Sequence, residues 1–442
     1  MRESSLLPVF GNGEFRAVWS AEFGSQLGDQ LARVAVAVLV FDRTSSATAA
    51  AVTYALTFVP SVLGGLTLSW LADRFRRRTV MVVADLVRAV LVALMALPGL
   101  PLPALAALLV LVVVLRAPHS AAQGAVLPQI LGERYEQGLV IRQVTNQVAQ
   151  VAGFAIGGML VALLRPAGAL LADAATFAVS ALLVRFGTAA RDRPEPPAGA
   201  DVAARAAFAH VAAGARAIAG DPARRALVLM ALVVGCYVLP EALAVPYAAQ
   251  VGAGSTEVGL LMAAGPLGGV LGAWMFVRFV ALEARERLLG MLAVLAACPL
   301  LPVALAPPVP LALACWGLSG AFVTAYVLQG QASFVRRTRD AQRGQAIGLA
   351  STAMIAAQGL AIVLGGVLAD SATPAIAVSA GGAAGLCAAS AVALAWARAL
   401  SREQNPGGDG GVMDRSPCVV VPAADATPMR DRCPPDTGGG DH

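Results

Sequence analysis

Ser69-Trp70-Leu71-Ala72-Asp73-Arg74-Phe75-Arg76-Arg77-Arg78 is the stretch that decides how this chain folds. It crowds four arginines and an aspartate into ten residues, between two apolar runs at 48–70 and 79–97. Each run holds the ~20 apolar residues that a helix needs to cross a ~30 Å hydrocarbon layer. A short arginine-dense turn between two such runs is what a membrane hairpin leaves on its cytoplasmic side.

The same pattern continues outward in both directions. Apolar runs occupy 15–41, 48–70, 79–97, 102–124, 143–164 and 167–185, and then, after a gap, 226–250, 258–279, 288–305, 310–332, 345–368 and 374–397. Six, an interruption and six more predict an all-α membrane protein of twelve transmembrane helices. Composition agrees: 58% of the 442 residues are hydrophobic and 13% charged, against about 45–50% and about 25% in soluble domains. Such a chain has too little polar surface to cover itself in water.

The charges fix orientation. All 32 basic residues are arginine, and they cluster in alternate loops: at 74–78, at 134 and 142, from 185 to 225, at 278–287 and at 336–343. The intervening loops hold only Arg43 and Arg165. The positive-inside rule therefore places both termini and the arginine-rich loops in the cytoplasm, for a multi-pass protein of the bacterial plasma (inner) membrane. The net charge of +5 is scattered between apolar runs rather than gathered on one face, so nucleic acid is not an expected partner. The first run is long and charged and lacks a small-residue cleavage site, so it reads as a retained span. Six cysteines without a CxxC pair give neither a disulfide nor a metal framework. No cofactor is expected.

Residues 1–187 form the first expected unit and 224–398 the second. Between them, 188–223 opens on the stiff Arg191-Asp192-Arg193-Pro194-Glu195-Pro196-Pro197 and continues as an Ala-rich helix from Asp201, expected to lie on the inner membrane surface. The tail, 399–442, is rich in Gly, Pro and Asp without apolar period and is expected to be disordered. The halves echo each other: Gly153-Phe154-Ala155-Ile156-Gly157-Gly158-Met159-Leu160 returns 208 residues later as Ala361-Ile362-Val363-Leu364-Gly365-Gly366-Val367-Leu368. Parallel repeats of six spans are a known transporter design, with the substrate site between the halves near the midplane. Gly153, Gly157, Gly158, Gly365 and Gly366 read as sites of close helix approach.

Ionisable groups inside a bilayer are costly, and each is a functional candidate. Glu22, Asp29 and Arg33 share one face of the first span with Gln26 nearby. Asp29, near the midplane, is either a cavity carboxylate for a proton or cationic substrate or the structural partner of Arg33. Asp85 and Arg88, three apart, read mainly as a structural pair. Arg116, His119 and Gln123 share a face of the fourth span; His119 reads as a hydrogen-bonded interior residue, although its chemistry would suit proton coupling. Glu241 lies between Pro240 and Pro246, which kink a helix and free its carbonyls; it is the second-half candidate for a proton or substrate site. Asp173 is expected near the outer interface. Asp73 ends a span, where a carboxylate can cap a neighbouring helix N-terminus.

The stretch at 69–78 resembles the major facilitator superfamily signature Gly-x-x-x-Asp-Arg-x-Gly-Arg-Arg, with Ser69 and Arg76 where that signature has glycine. Arg116-Ala117-Pro118-His119 and the following residues to Leu127-Pro128 are similar to the fourth-span motifs of drug, siderophore and macrolide exporters. Gly153-Phe154-Ala155-Ile156-Gly157-Gly158 is similar to the antiporter motif Gly-Pro-x-x-Gly-Gly, with Phe154 in place of proline, and the segment from Asp173 is also similar to those exporters. The resemblance covers about 15–398. It implies the major facilitator fold: two pseudo-repeated six-helix bundles that give alternating access to a small, partly apolar substrate. It also implies proton-coupled efflux by a monomer, a place for Arg116 near the proton path, and a gating loop of Asp73, Arg74, Arg77 and Arg78 that latches one conformation. An importer or facilitator of the same fold, or a non-transporting sensor, are the alternatives. The sequence has no Gly-x-Ser-x-Gly, phosphate-binding Gly-Lys-Ser/Thr or metal-ligand cluster, so no enzyme is expected.

Overall fold

A computed structural model describes residues 7–68, 70–191, 215–216 and 218–404. The expected surface helix within 188–223, and the tail beyond 404, lie outside the described residues. The first half contains α1 (Gly13–Thr44), α2 (Ala47–Ala55), α3 (Val59–Leu68), α4 (Leu71–Arg74), α5 (Arg77–Met95), α6 (Leu102–Leu131) and α7 (Tyr135–Gly187). The second contains α8 (Pro222–Tyr237), α9 (Leu239–Ala242), α10 (Ala244–Gln250), α11 (Ser255–Phe279), α12 (Leu282–Ala297), α13 (Val309–Arg337), α14 (Asp340–Ser371) and α15 (Pro374–Gln404).

Local chemistry sets these boundaries. Asn12 Oδ1 accepts the N–H groups of Glu14 and Phe15 at the start of α1, and Ser46 Oγ accepts that of Ala49 at the start of α2. Pro222 opens α8 at the position where its missing N–H costs nothing. Ahead of it, partial burial works against ionisation of Asp221, but hydrogen bonds from the Arg224 side chain and the Ala223 N–H hold its carboxyl below the usual range. Pro240 and Pro246 break the seventh span into α8, α9 and α10. The second span is likewise broken, into α2, α3 and α4.

Helix α7 runs for 53 residues and turns at Arg165, where φ is 61° and ψ 169°. Its two arms run oppositely along α1. Gly153 packs against Leu27 and Gly157 against Leu31, whereas Asp173 packs against Gly28 and Gly187 against Ala17. With α2–α4, α8–α10 and α12 plus its 3-10 extension Cys298–Leu305 each counted once, the described residues make twelve crossings. Eight stretches are long and apolar enough to cross a membrane, one of them the 86 residues from Leu102 to Gly187. Helices α1 and α5 are not among them, and these two carry Asp29, Arg33, Asp85 and Arg88 along their length.

The sequence repeat is also a repeat of contacts. Gly157 packs on Leu31 and Gly365 on Leu239, each within its own bundle. Gly158 packs on Gly259, and Gly366 on Ala51, each across to the other bundle. Every residue in the second member of these pairs of contacts is displaced by the same 208 positions. A Cβ on Gly158 would lie 2.7 Å from Gly259 Cα, and one on Gly366 would lie 2.9 Å from Thr48 Cα, so the bundles touch backbone to backbone.

One edge of this contact carries a charge. Asp370, at the end of α14, accepts from the Ala47 N–H at 2.6 Å, the Ser46 hydroxyl at 2.7 Å and the Thr48 N–H at 3.0 Å. An acidic group on a helix N-terminus satisfies free donors and opposes the dipole. The repeat equivalent of Asp370 is Ala162, and α11 is capped instead by its own Glu257, which accepts the Gly254 N–H at 2.9 Å. Replacing Asp370 by alanine should speed hydrogen exchange of the 47–49 amides by about tenfold, since losing a cap costs about 0.5–2 kcal/mol. Unchanged exchange there would mean that the contact does not hold α2.

Candidate functional site

The polar interior of the first bundle is built on α1, α5, α6 and the second arm of α7. Arg88 on α5 places one guanidinium nitrogen 2.7 Å from Asp29 on α1 and the other 3.9 Å from Asp85, one turn away on its own helix. The same guanidinium lies over the ring of Phe177, 4.0 Å from its centroid. Asp85 also accepts the Ser180 hydroxyl at 2.6 Å and has His119 Nδ1 at 3.7 Å. Arg116 donates to Gln26 at 3.0 Å and stands 3.8 Å from Asp29. Arg88 and Asp85 are buried, and Arg88 Nε and Asp85 Oδ1 have no hydrogen-bond partner among the described residues, so the desolvation of this pair is only partly offset.

Asp29 thus pairs with Arg88 of another crossing and not with Arg33 four residues on. The expected close association of Asp85 and Arg88 is present, as one edge of a wider cluster. Asp173, expected at the outer interface, instead lies in the bundle interior and is 1% exposed. It sits eight residues beyond Arg165 on the second arm of α7, a rise of about 12 Å at 1.5 Å per residue that carries it from the turn into the bundle. Its carboxyl rests where a Cβ on residue 28 would be, so Gly28 is what admits it to the side of Asp29.

Two cavities meet at Arg33. One, of about 410 Å³, is lined by Asp29, Arg33, Arg88, Arg116 and Asp173, with Phe58 on its apolar side. The other, of about 250 Å³, lies between the bundles and is lined by Arg33, Gln147, Gln150, Glu241, Thr324 and Gln358. Glu241 accepts the Tyr54 hydroxyl at 2.6 Å, a hydrogen bond from α2 of one bundle to α9 of the other. Tyr54 had no signal in the sequence beyond being a lone tyrosine in an Ala-rich run. The 208-residue offset makes Arg33 and Glu241 equivalent positions with opposite charge. The guanidinium of Arg33 lies over the Phe58 ring at 5.2 Å.

Glu22 stands apart from both cavities. It accepts from Arg142 at 2.6 Å and from Gln123 at 2.7 Å, a closed network on the arginine-rich side. In the loop, Arg77 donates to the Ala125 carbonyl at 3.0 Å and Arg78 to that of Thr188 at 2.8 Å, tying the start of α5 to α6 and the end of α7. Arg74 lies over Trp70. Asp73 is exposed, and its carboxylate caps no helix among the described residues. Ser69 lies outside them.

The model of the Major Facilitator Superfamily matches residues 18–272 and 239–426. The multidrug efflux pump Tap of Mycolicibacterium fortuitum is 24% identical over 362 residues, 78% of this chain and 86% of that protein. The uncharacterized MFS-type transporter YkuC of Bacillus subtilis is 27% identical over 201 residues, 43% of this chain and 45% of YkuC, so that match spans under half of the relative. Among solved structures, a POT family transporter in complex with 5-aminolevulinic acid superposes with a TM-score of 0.69 at 12% identity, covering 88% of this chain and 97% of that one. A bacterial homologue of the iron transporter ferroportin, in an inward-facing state, gives 0.68 at 16%, covering 89% and 99%. At these identities the structural likeness concerns the fold.

Proposed function

We propose, from the premise that this chain belongs to the Major Facilitator Superfamily, that it exports a small, partly apolar molecule across the bacterial plasma membrane in exchange for protons. The observation that carries this reading is the junction of two cavities at Arg33 and Glu241. There the bundles present charged groups to a shared space near the middle of the repeat, where this class of transporter holds its cargo. The likeness to Tap, a multidrug efflux pump, supports the outward direction.

Sidedness follows from the arginine-rich loops, which belong in the cytoplasm with both termini. The end carrying Asp370 and the glycine crossings is then the outer end. Gln147 and Gln150 precede Gly158 on α7, and Gln358 precedes Gly366 on α14, so the inter-bundle cavity lies on the cytoplasmic side of the closed crossings. In this reading 1–187 and 224–398 rock as two bundles within a monomer, joined by 188–223 and followed by the 399–442 tail. Asp73, with Arg74, Arg77 and Arg78, latches the opposite, outward-open state, in which Asp370 lets go.

Asp29 and Glu241 are the coupling carboxylates, with Arg116 and Arg33 holding the local field. One charge moved through 100 mV supplies about 2.3 kcal/mol, which sustains a tens-fold cargo gradient. The test is ethidium flux in proteoliposomes with an imposed pH gradient. Wild type should accumulate the dye against its gradient, while Asp29→Asn and Glu241→Gln should only equilibrate it. Gradient-driven flux unchanged in both variants would sink the coupling assignment.

A further inference from the structure

Three aspartates surround the cations of the first bundle, and they are unequally partnered. Asp29 on α1 has Arg88 at 2.7 Å and Arg116 at 3.8 Å. Asp85 on α5 accepts the Ser180 hydroxyl at Oδ2, while its Oδ1 has no hydrogen bond but faces Arg88 at 3.9 Å and His119 at 3.7 Å. Asp173 on the second arm of α7 has no ion pair among the described residues, its Oδ2 is buried without a hydrogen-bond partner, and the residue is 1% exposed. An isolated ionised carboxylate in such a place forfeits its hydration with nothing in return, and the group neutralises instead.

The geometry around Asp173 suits the neutral acid. The Thr176 hydroxyl has one proton, and it reaches the Asp173 backbone carbonyl at 2.8 Å. Its oxygen stands 3.2 Å from Asp173 Oδ1, where it can accept a proton from a carboxylic acid. Gly28 supplies the seat: a side chain there would overlap both Oδ1 and Thr176 Oγ. Asp173 also lines the 410 Å³ cavity beside Asp29, Arg33, Arg88 and Arg116. Arg88 is already against this helix arm, over Phe177 one turn from Asp173.

We propose that Asp173 is a further proton carrier of this transporter, beside the coupling carboxylates Asp29 and Glu241, holding its proton in the state seen here and releasing it to cavity water when Arg88 turns from Asp29 to the Asp173 carboxylate. In that step one O–H bond breaks, the proton leaves on water, and the new carboxylate charge is matched by the guanidinium. Asp29 is thereby freed for cargo. The second bundle does not repeat this trio, because the 208-residue offset puts Tyr237, Ala296 and Gly381 where the first bundle has Asp29, Arg88 and Asp173. The step rests on the proton-coupled exporter reading, but the protonation of Asp173 can be tested without any cargo.

Infrared difference spectroscopy of the full-length protein in nanodiscs at neutral pH reads the C=O stretch of protonated carboxyl groups. Asp173→Asn should lose a band that Asp29→Asn and Glu241→Gln keep, and Asp173→Glu should shift it. A spectrum unchanged by Asp173→Asn would overturn the proposal, as would loss of that band in Asp29→Asn. Because asparagine mimics the neutral acid in shape, Asp173→Asn should fold and should still equilibrate ethidium in proteoliposomes, with no response to an imposed pH gradient. A full response to the gradient in that variant also overturns the proposal. If wild type itself ignores the gradient, the exporter reading fails, and the infrared result stands separately.

Discussion

Replacing Arg88 by alanine is expected to abolish transport and to destabilise the first bundle by about 3–5 kcal/mol, the usual cost of removing one partner from a buried ion pair. The residue is 2% exposed, joins Asp29 to Asp85 and covers Phe177. Its loss leaves two carboxylates short of their cation, and Asp85 is fully enclosed. Lysine at this position can reach one aspartate but cannot fork between two, so Arg88→Lys should keep part of the stability and little of the flux. The double variant Asp29→Asn/Arg88→Met removes both charges of the shorter of the two Arg88 pairs and should regain more than about 1 kcal/mol of the loss, the coupling expected of contacting residues. Thermal unfolding in detergent, alongside ethidium flux, measures both effects. An Arg88→Ala protein as stable as wild type would show that the cluster is hydrated from the cavity and not a buried network.

Leucine at Gly158 should have a comparably large effect on transport by a different route. A Cβ at this position would lie 2.5 Å from the Ser255 carbonyl oxygen and 2.7 Å from Gly259 Cα. Both are backbone atoms and cannot swing aside. Overpacking costs about 1–3 kcal/mol, occasionally more, so the state with this end closed should lose up to about a hundredfold in population. Gly366→Leu should behave alike, because the repeat places Thr48 and Ala51 against it in the same way. Leucine at Gly124, which has nothing within 4 Å of its added Cβ, is the control. Labelling of a cysteine introduced at Ala253, in a background without the native cysteines, reports the opening. Equal labelling and flux in Gly158→Leu and Gly124→Leu would mean that the crossing is not the closure.

The crossings and their order were legible because twenty-residue apolar runs and arginine loops are properties of the chain taken locally. The glycine contacts were legible for a related reason, since a repeat writes the same contact twice. The partners of the charges were not. Spacing along a helix suggests only neighbours three or four residues away, such as Arg33 for Asp29, while the partner of Asp29, Arg88, is 59 residues distant. Asp173 was misplaced because the turn at Arg165 has almost no loop, and the helix plunges back at once. Asp73 was expected to cap a helix between the bundles. In the state described here that chemistry is performed at the opposite end by Asp370 on α2, a pairing between residues more than three hundred positions apart.

The repeat duplicates the skeleton of contacts without duplicating the charges. Among the described residues, the buried acidic and basic side chains Glu22, Asp85, Arg88, His119 and Asp173 all belong to the first bundle, while the polar groups the second buries are serines, a threonine, a glutamine and tyrosines. The two bundles are therefore mechanical twins and electrical opposites. In the proposed exchange cycle the first is the charged half, in which ion pairs are made and broken over a few ångströms. In the same cycle the second half moves without dragging any fully buried acidic or basic side chain through hydrocarbon, where each would cost a few kcal/mol.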